Sequence, residues 1–172
     1  MGEKAKSNIG AMTRADLDQA LLIEQASFGM PWSRQLFLRE LHNPAISTLL
    51  AAFKDPGPSG KRPAARVVTG YIVFWVVADE MHILNLAVAP ARRLRGIAKR
   101  LVQSALEKAY AKGARIAYLE VRASNTAAQK LYLGLGFTGI SLRKGYYDRP
   151  TEDAVIMELG PGAFKTLVEQ KN

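Results

Sequence analysis

The chain of 172 residues contains no cysteine, and its only imidazoles are His42 and His82. Without a thiol the protein can form no disulfide, no thiolate metal site and no covalent acyl-cysteine. Two histidines alone do not supply a histidine-based zinc site, so the sequence predicts no metal centre. Their scarcity also favours a carboxylate as the general base of any acid–base chemistry.

Long apolar runs are also missing. The longest uninterrupted one, residues 71–78, is far shorter than the roughly 20 residues that a membrane-spanning helix needs. The N-terminal sequence "MGEKAKSNIG" carries charges without the apolar segment of a secretion signal. We therefore expect a cytoplasmic protein that contains no membrane span.

Acidic residues are in deficit, since Lys and Arg number 24 against 15 Asp and Glu, for a formal net charge of +9. Such an excess indicates an anionic partner, namely nucleic acid, a ribosome or a polyanionic cofactor; the alternative is a surface that is merely solubilising. Because the sequence carries no nucleic-acid recognition motif, we expect no sequence-specific binding of nucleic acid.

Hydrophobic periodicity and capping residues predict a single domain in which helices and strands are mixed. The expected helices run from Thr13 to near Gly29, from Ser33 to about Leu41, from Pro90 to a cap at Gly113, and from Asn125 to Gly134 and Gly136. The expected strands are "STLLAAF", "VVTGYIVFWVVA", "MHILNLAV", "IAYLEVR", "TGISLRKGYY" and "DAVIMEL". The second and third strands should form a hairpin joined at Asp79–Glu80, and a basic loop at residues 55–66 should separate the first two.

Two glycine motifs resemble nucleotide-binding motifs, but their spacing or their flanking secondary structure does not match those motifs. Gly134, Gly136 and Gly139 spell G-x-G-x-x-G, but they follow a helix where a dinucleotide fingerprint needs a strand. Gly60 and Lys61 lack the spacing of a P-loop, and an arginine follows where Ser or Thr must bind magnesium. The sequence therefore excludes both nucleotide folds.

A better anion site lies in "LAVAPARRLRGIAKRL", where a strand leads through a loop into a helix. Gly96 and Ala98 are small enough for backbone N–H groups to approach a pyrophosphate, and the helix dipole favours its negative charge. Five cations surround this turn: Arg92, Arg93, Arg95, Lys99 and Arg100. Taken alone, the cluster is equally typical of a solvated basic face or an RNA-contacting patch.

Residues 85–136 closely resemble the Gcn5-related N-acetyltransferase (GNAT) superfamily, whose acetyl-CoA motif Gln/Arg-x-x-Gly-x-Gly/Ala stands here as Arg93, Gly96 and Ala98. More narrowly, "LEVRASN", "LYLGLGF", "RKGYY" and "DAVIMEL" are similar to the RimI family, bacterial enzymes that acetylate the N-terminal alanine of the small-subunit ribosomal protein numbered eighteen. The resemblance implies an N-terminal tail at 1–11, an acetyltransferase domain at 12–159 and a C-terminal extension at 160–172.

The resemblance also implies a fold and a set of site residues. The fold is α/β, with a mixed, mostly antiparallel sheet whose central strands splay apart to admit acetyl-CoA. Glu120 would be the general base and Tyr132 the general acid. Cosubstrate binding would fall on the strand end Leu86, Ala87 and Val88, on the turn Arg93, Leu94, Arg95, Gly96, Ile97, Ala98 and Lys99, and on Asn125.

These roles agree with the chemistry. An N-terminal ammonium, with a pKa near ~8, must lose a proton before it attacks a thioester, and a departing thiolate of pKa ~8.5 accepts one. Glu120 alternates with Leu119 and Val121, so it faces away from them, and its alternative is an ion-paired strand carboxylate. Tyr132, without the resemblance, would be a tyrosine at the core edge. Because cysteine is absent, acetyl transfer should be direct.

The acceptor site is less constrained by the sequence. Met30, Trp32, Tyr146 and Tyr147, in "FGMPWS" and "GYY", are candidates to wall the peptide site, with simple packing as the alternative. Rival functions are acetylation of another protein terminus or of a small amine and, in a different class, a non-catalytic ribosome- or RNA-binding module. The presence of Glu120 and Tyr132 argues against the last.

Overall fold

The computed structural model describes residues 8–54 and 66–170. It contains seven strands, two 3-10 turns and five helices within these ranges, and all but the 3-10 turns are numbered along the chain. The strands are β1 (Asn8–Ala11), β2 (Ser47–Phe53), β3 (Val68–Val77), β4 (Glu80–Val88), β5 (Ile116–Arg122), β6 (Thr138–Asp148) and β7 (Thr151–Leu159). The helices are α1 (Leu17–Gln25), α2 (Arg34–Leu41), α3 (Ile97–Ala111), α4 (Thr126–Leu133) and α5 (Pro161–Glu169), and the 3-10 turns are Arg14–Asp16 and Pro90–Arg92.

The seven strands form one mixed sheet in the order β1-β2-β3-β4-β5-β7-β6. The pairs β1/β2, β5/β7 and β6/β7 are antiparallel, and β4/β5 is parallel. The β4/β5 register runs from Glu80 opposite Ile116 to Ile83 opposite Leu119 and ends there, although both strands continue. The mixed, mostly antiparallel α/β fold that the resemblance implies is confirmed.

The chain divides into two compact units. The first comprises the described part of residues 1–73 together with residues 86–101, and its core includes Leu17, Phe37 and Tyr71, all fully buried. The second comprises residues 74–85 and the described part of 102–172, and its core includes Leu106 and Phe164.

Local signals place several elements where the sequence predicts them. β2 spans the predicted "STLLAAF", and α2 begins after Ser33, whose hydroxyl accepts a hydrogen bond from the Leu36 amide at 3.3 Å. Asn125 caps α4 through its side-chain oxygen, and Gly113 follows α3 with a φ of +105°. In the three helices the observed capping residues lie where the sequence predicts them.

Three predicted boundaries are wrong. α1 ends at Gln25 rather than near Gly29, because the Glu24 carbonyl accepts both the Ser27 and Phe28 amides and closes the last turn. The β3–β4 hairpin turns at Ala78–Asp79, not at Asp79–Glu80, since Glu80 already pairs with β5 and the Asp79 carbonyl accepts the Arg115 amide at 2.7 Å.

The third wrong boundary is the start of α3. The helix expected from Pro90 begins only at Ile97, because Leu94 and Gly96 take positive φ values of 60° and 74° that interrupt a helical backbone. Only the short 3-10 turn Pro90–Arg92 precedes this interruption.

The two terminal segments that the sequence sets apart from the acetyltransferase domain contain regular secondary structure. Residues 8–11, assigned to a tail, form β1 and pair with β2, and the C-terminal extension contains α5. Apart from Arg66, the basic loop at 55–66 lies outside the described residues. No helix within the described ranges is long and apolar enough to cross a membrane.

Candidate active site

In the first unit, the segment from Arg93 to Lys99, here named the cofactor turn, connects β4 to α3. The Arg100 amide donates to the Gly96 carbonyl at 3.1 Å and so makes the first hydrogen bond of the helix. The amides of Ile97, Ala98 and Lys99 therefore have no intrahelical acceptor and lie at the positive end of the helix dipole. Such a set of backbone donors suits a phosphate group.

Gly96 leaves open space at this turn. A Cβ added to Gly96 would meet no atom within 4 Å, and the φ of +74° is one that side chains rarely tolerate. On β3, by contrast, a Cβ at Gly70 would approach the Ala87 carbonyl oxygen to 2.9 Å, so the missing side chain lets β3 pack closely against the end of β4. That strand end, Leu86 to Val88, is the one predicted to face the thioester.

Arg93 is a brace within the first unit. Its Nε donates to the Val88 carbonyl at 3.1 Å, and its Nη2 donates to the Ser27 hydroxyl at 3.0 Å. The guanidinium therefore links the end of β4 to the loop after α1. Leu94 beside it is fully exposed. The backbone of the turn, rather than the Arg93 side chain, is left to receive a phosphate.

Two of the predicted acceptor residues lie in the loop between α1 and α2 of the same unit. Met30 is 54% exposed. Trp32 is half-buried; its amide donates to Glu24 Oε1 at 2.8 Å, and its ring meets that of Phe37 edge-on with centroids 5.4 Å apart. Trp32 therefore combines a packing role with partial exposure.

The predicted general base lies on β5 in the second unit. Glu120 is exposed while its neighbours Leu119 and Val121 are buried, as strand alternation predicts. Its Oε1 lies 3.8 Å from Nη1 of Arg143, and 36% of its side chain is accessible. The long distance and the exposure make this a weak ion pair, which leaves the carboxylate accessible to a ligand.

Tyr132, the predicted general acid, is buried on α4, where its ring packs edge-on against Phe137. Burial, and after it the nearby Tyr147, raises the pKa of Tyr132 well above its ordinary value of 10.0. The phenol therefore keeps its proton throughout the physiological range.

Tyr147, on β6, is a second tyrosine whose pKa is shifted by its surroundings. Burial raises the pKa of Tyr147, Tyr146 and Glu120 raise it further, and Arg122 opposes them. Tyr147 in turn raises the pKa of Tyr132. Tyr146 is more exposed and packs edge-on against Tyr147, with centroids 5.1 Å apart. The second unit thus contains four predicted site residues: Glu120, Tyr132, Tyr146 and Tyr147.

Sequence reasoning missed the Arg122–Glu152 pair that holds this group. Arg122 Nη1 lies 3.1 Å from Glu152 Oε2, and its guanidinium stacks 4.1 Å from the Tyr147 ring centroid. The Ser124 amide donates to Glu152 Oε1 at 2.5 Å, and hydrogen bonds from Ser124 and Arg122 hold the pKa of Glu152 below its ordinary value. The arginine of "LEVR" was the available signal, but its partner is 30 residues away.

Asn125 is predicted to contact the cofactor, and its side chain is partly engaged. Its Oδ1 accepts the Ala128 amide at 3.1 Å as the cap of α4, so the amide nitrogen is the atom left for a ligand. No group of three or more metal-ligating side chains occurs in the described part of the chain.

A model of the acetyltransferase (GNAT) family matches residues 17–137. The chain belongs to this family. GNAT enzymes transfer acetyl groups from acetyl-CoA, so the protein is an acetyl-CoA-dependent N-acetyltransferase. The resemblance drawn from its motifs is therefore confirmed.

Comparison with individual proteins indicates which GNAT enzymes this chain is similar to. The ribosomal protein bS18-alanine N-acetyltransferase of Haemophilus ducreyi is 34% identical over 154 residues, which is 88% of this chain and 98% of that protein. The enzyme of the same name from Salmonella typhimurium is 34% identical over 157 residues, 89% of this chain and 97% of its own. The crystal structure of the ribosomal-protein-S18-alanine N-acetyltransferase from Escherichia coli matches with a TM-score of 0.77 at 29% identity, over 90% of this chain and 94% of that one.

Proposed function

We propose that this GNAT enzyme acetylates a protein N-terminal amine, and that its acceptor is the N-terminal alanine of ribosomal protein bS18. The acceptor is that named for its relatives, which align over nearly their full length. The observation that supports the chemistry is an exposed carboxylate, Glu120, whose partner Arg143 also lies over the Tyr146 ring, in the same unit as the buried phenol of Tyr132. We further propose a cytoplasmic enzyme whose acetyltransferase domain spans residues 12–159.

The cofactor turn has the features of an acetyl-CoA site. The open space at Gly96 and the helix-opening amides of Ile97 to Lys99 fit a pyrophosphate, and the neighbouring cations complement its charge. Leu86 to Val88 would present backbone groups to the pantetheine arm, and the Asn125 amide would add a hydrogen bond. When bound, acetyl-CoA supplies an activated thioester carbonyl.

Glu120 takes the proton from the acceptor ammonium, directly or through a water, so that the amine nitrogen can form the new C–N bond. Tyr132 holds a proton at its hydroxyl and donates it toward the sulfur as the C–S bond breaks, and the second proton that the nitrogen loses on becoming an amide restores the phenol. Since the chain has no cysteine, no acyl-cysteine step intervenes, and the transfer is direct. Tyr146 and Tyr147 would contact the acceptor beside Glu120.

The test is acetylation of a peptide that carries the N-terminal sequence of bS18, followed by mass spectrometry. We expect acetyl-CoA to label the N-terminal alanine and to leave an interior lysine and free small amines unlabelled. The matched control is the same peptide with a blocked N-terminus. Labelling of small amines but of no N-terminus would favour the rival acetyltransferase, and absence of any turnover would favour a non-catalytic binding module.

A further inference from the structure

Glu24, in the last turn of α1, is a buried carboxylate that the reaction does not use. It is 1% exposed, and its side chain receives hydrogen bonds from the loop that follows α1 and from β3. The Trp32 amide donates to Oε1 at 2.8 Å, and the Tyr71 hydroxyl donates to Oε2 in a short hydrogen bond. A carboxylate is costly to bury unless hydrogen bonds satisfy it, and these bonds tie Glu24 to the Trp32 backbone and to the Tyr71 side chain.

One bond holds the Trp32 backbone directly, and the other holds Tyr71, which is linked to Trp32 through the ring of Phe37. Tyr71 is fully buried on β3, and its ring meets Phe37 edge-on at 5.4 Å; Phe37 in turn meets the Trp32 ring at the same distance. Glu24 therefore holds the backbone of Trp32 directly, and it holds the Tyr71 end of the aromatic row that packs against the Trp32 ring.

Trp32 belongs to residues 26–33, here named the acceptor loop. The other end of this loop is also held, because the Ser27 hydroxyl accepts a hydrogen bond from Arg93 in the cofactor turn. Between these ends Phe28 and Met30 are 37% and 54% exposed. Apolar side chains displayed on a loop that is fixed at both ends are already ordered before a ligand arrives, which lowers the entropic cost of binding.

We propose that Glu24 is the positioning residue of the acceptor loop: it holds Trp32 and Met30 in the conformation that binds the acceptor peptide and takes no part in proton transfer. The inference rests on the proposed function, which supplies the role of this loop in acceptor binding. A positioning residue acts on the KM for the acceptor and leaves the affinity for acetyl-CoA unchanged.

Three variants distinguish the effect of the Glu24 hydrogen bonds from the effect of its negative charge. Glu24→Ala removes both acceptors, and Tyr71→Phe removes one donor but keeps the ring. Glu24→Gln keeps an oxygen for the Trp32 amide and an N–H for the Tyr71 oxygen. We expect the acceptor KM to rise about tenfold or more in Glu24→Ala, to rise by roughly threefold in Tyr71→Phe, and to stay within about twofold in Glu24→Gln. The dissociation constant of acetyl-CoA, measured by calorimetry, should not change.

The matched control is Thr69→Val, also on β3. It removes a buried hydroxyl that donates to the Ala52 carbonyl at 3.0 Å, a bond that involves no residue of the acceptor loop, so it should weaken the fold without raising the acceptor KM. If Glu24→Ala does not fold, Tyr71→Phe decides in its place. A loss of kcat in Glu24→Gln as large as in Glu24→Ala would overturn the proposal, because charge rather than geometry would then matter.

A second readout needs no turnover. The chain has two tryptophans, so Trp75→Phe leaves Trp32 as the single fluorophore. In that background we expect Glu24→Ala and Tyr71→Phe to raise acrylamide quenching of Trp32 by about twofold or more, and Glu24→Gln to match the parent. Unchanged quenching in both folded variants would overturn the proposal, and so would raised quenching with an unchanged acceptor KM. If the parent acetylates no N-terminal peptide, the proposed function fails, while quenching still tests the position of Trp32.

Discussion

The acid–base assignment depends on two side chains with opposite surroundings, an exposed carboxylate and a buried phenol. We expect Glu120→Gln and Tyr132→Phe each to lower kcat by roughly 10²–10⁴-fold while acetyl-CoA still binds. The Glu120→Gln defect should shrink in alkali, where the acceptor amine loses its proton unaided. The Tyr132→Phe defect should persist, because high pH supplies no donor to the sulfur.

The control for these two variants is Tyr118→Phe, which removes a phenol from β5 whose ring stacks on His82 with centroids 5.7 Å apart. Its pH–rate profile should match that of the parent. Full activity of Glu120→Gln at pH 7 on an N-terminal alanine peptide would make Glu120 an ordinary ion-paired carboxylate beside Arg143.

The raised pKa of Tyr132 also predicts a pH dependence of stability. Above the ordinary pKa of 10.0, the unfolded chain releases the phenol proton while the folded protein keeps it. The free energy of unfolding should therefore be complete below pH 10 and decline as the pH rises toward the folded pKa, by about 1.4 kcal/mol per pH unit for this group. Tyr132→Phe should flatten this decline in urea titrations between about pH 9.5 and 11. An unchanged slope would contradict the assigned burial.

Among the elements, the cofactor turn is tested by comparing two glycines with positive φ. Neither Gly96 nor Gly113 would clash with an added Cβ, so Gly96→Ala and Gly113→Ala should cost a similar backbone strain of about 1 kcal/mol. Only Gly96→Ala should weaken the binding of acetyl-CoA, because only this substitution fills the space where the pyrophosphate is proposed to bind. Equal acetyl-CoA affinities by calorimetry would place the phosphates elsewhere.

The β6–β7 hairpin is tested through two arginines that stack on tyrosines. Arg122 lies over Tyr147 and bonds to the Arg149 and Pro150 carbonyls, while Arg115 lies over Tyr110 and bonds to neighbouring carbonyls. Either alanine substitution should cost about 1–2 kcal/mol of stability. Only Arg122→Ala should also lower kcat/KM, because Tyr147 loses its support. The same kcat/KM in both variants would contradict this role.

The sequence predicts best those elements whose ends are marked by a capping side chain or by a change from polar to apolar residues. Ser33 and Asn125 cap their helices through their own side chains, and "STLLAAF" is apolar in all but its first two residues. The start of α3 and the hairpin turn could not be predicted, because Leu94 and Ala78 take positive φ without being glycine. The same limit applies to the site: its motif residues were recognised, whereas Glu24 and Arg122 act through partners distant in sequence.

For the molecule as a whole, the net charge of +9 predicts how it meets polyanions. We expect RNA to bind weakly, with similar affinity for unrelated sequences, and to dissociate as salt rises from about 50 to about 200 mM. Filter binding with two unrelated RNAs would measure this, and neutral peptide acetylation serves as the salt control. Tight binding of one sequence that survives about 200 mM salt would contradict it.

The sheet ends at β6, whose residues are nearly all exposed, including Ile140 and Leu142. A long open edge of this kind is where a second chain can add a strand and begin aggregation. Here the register shifts between Gly139 and Ser141 and again between Arg143 and Tyr147, and Gly145 turns with a φ of +59°. These irregularities leave no straight strand for an incoming chain to pair with, so the bends beside Tyr146 and Tyr147 should also disfavour edge-to-edge association.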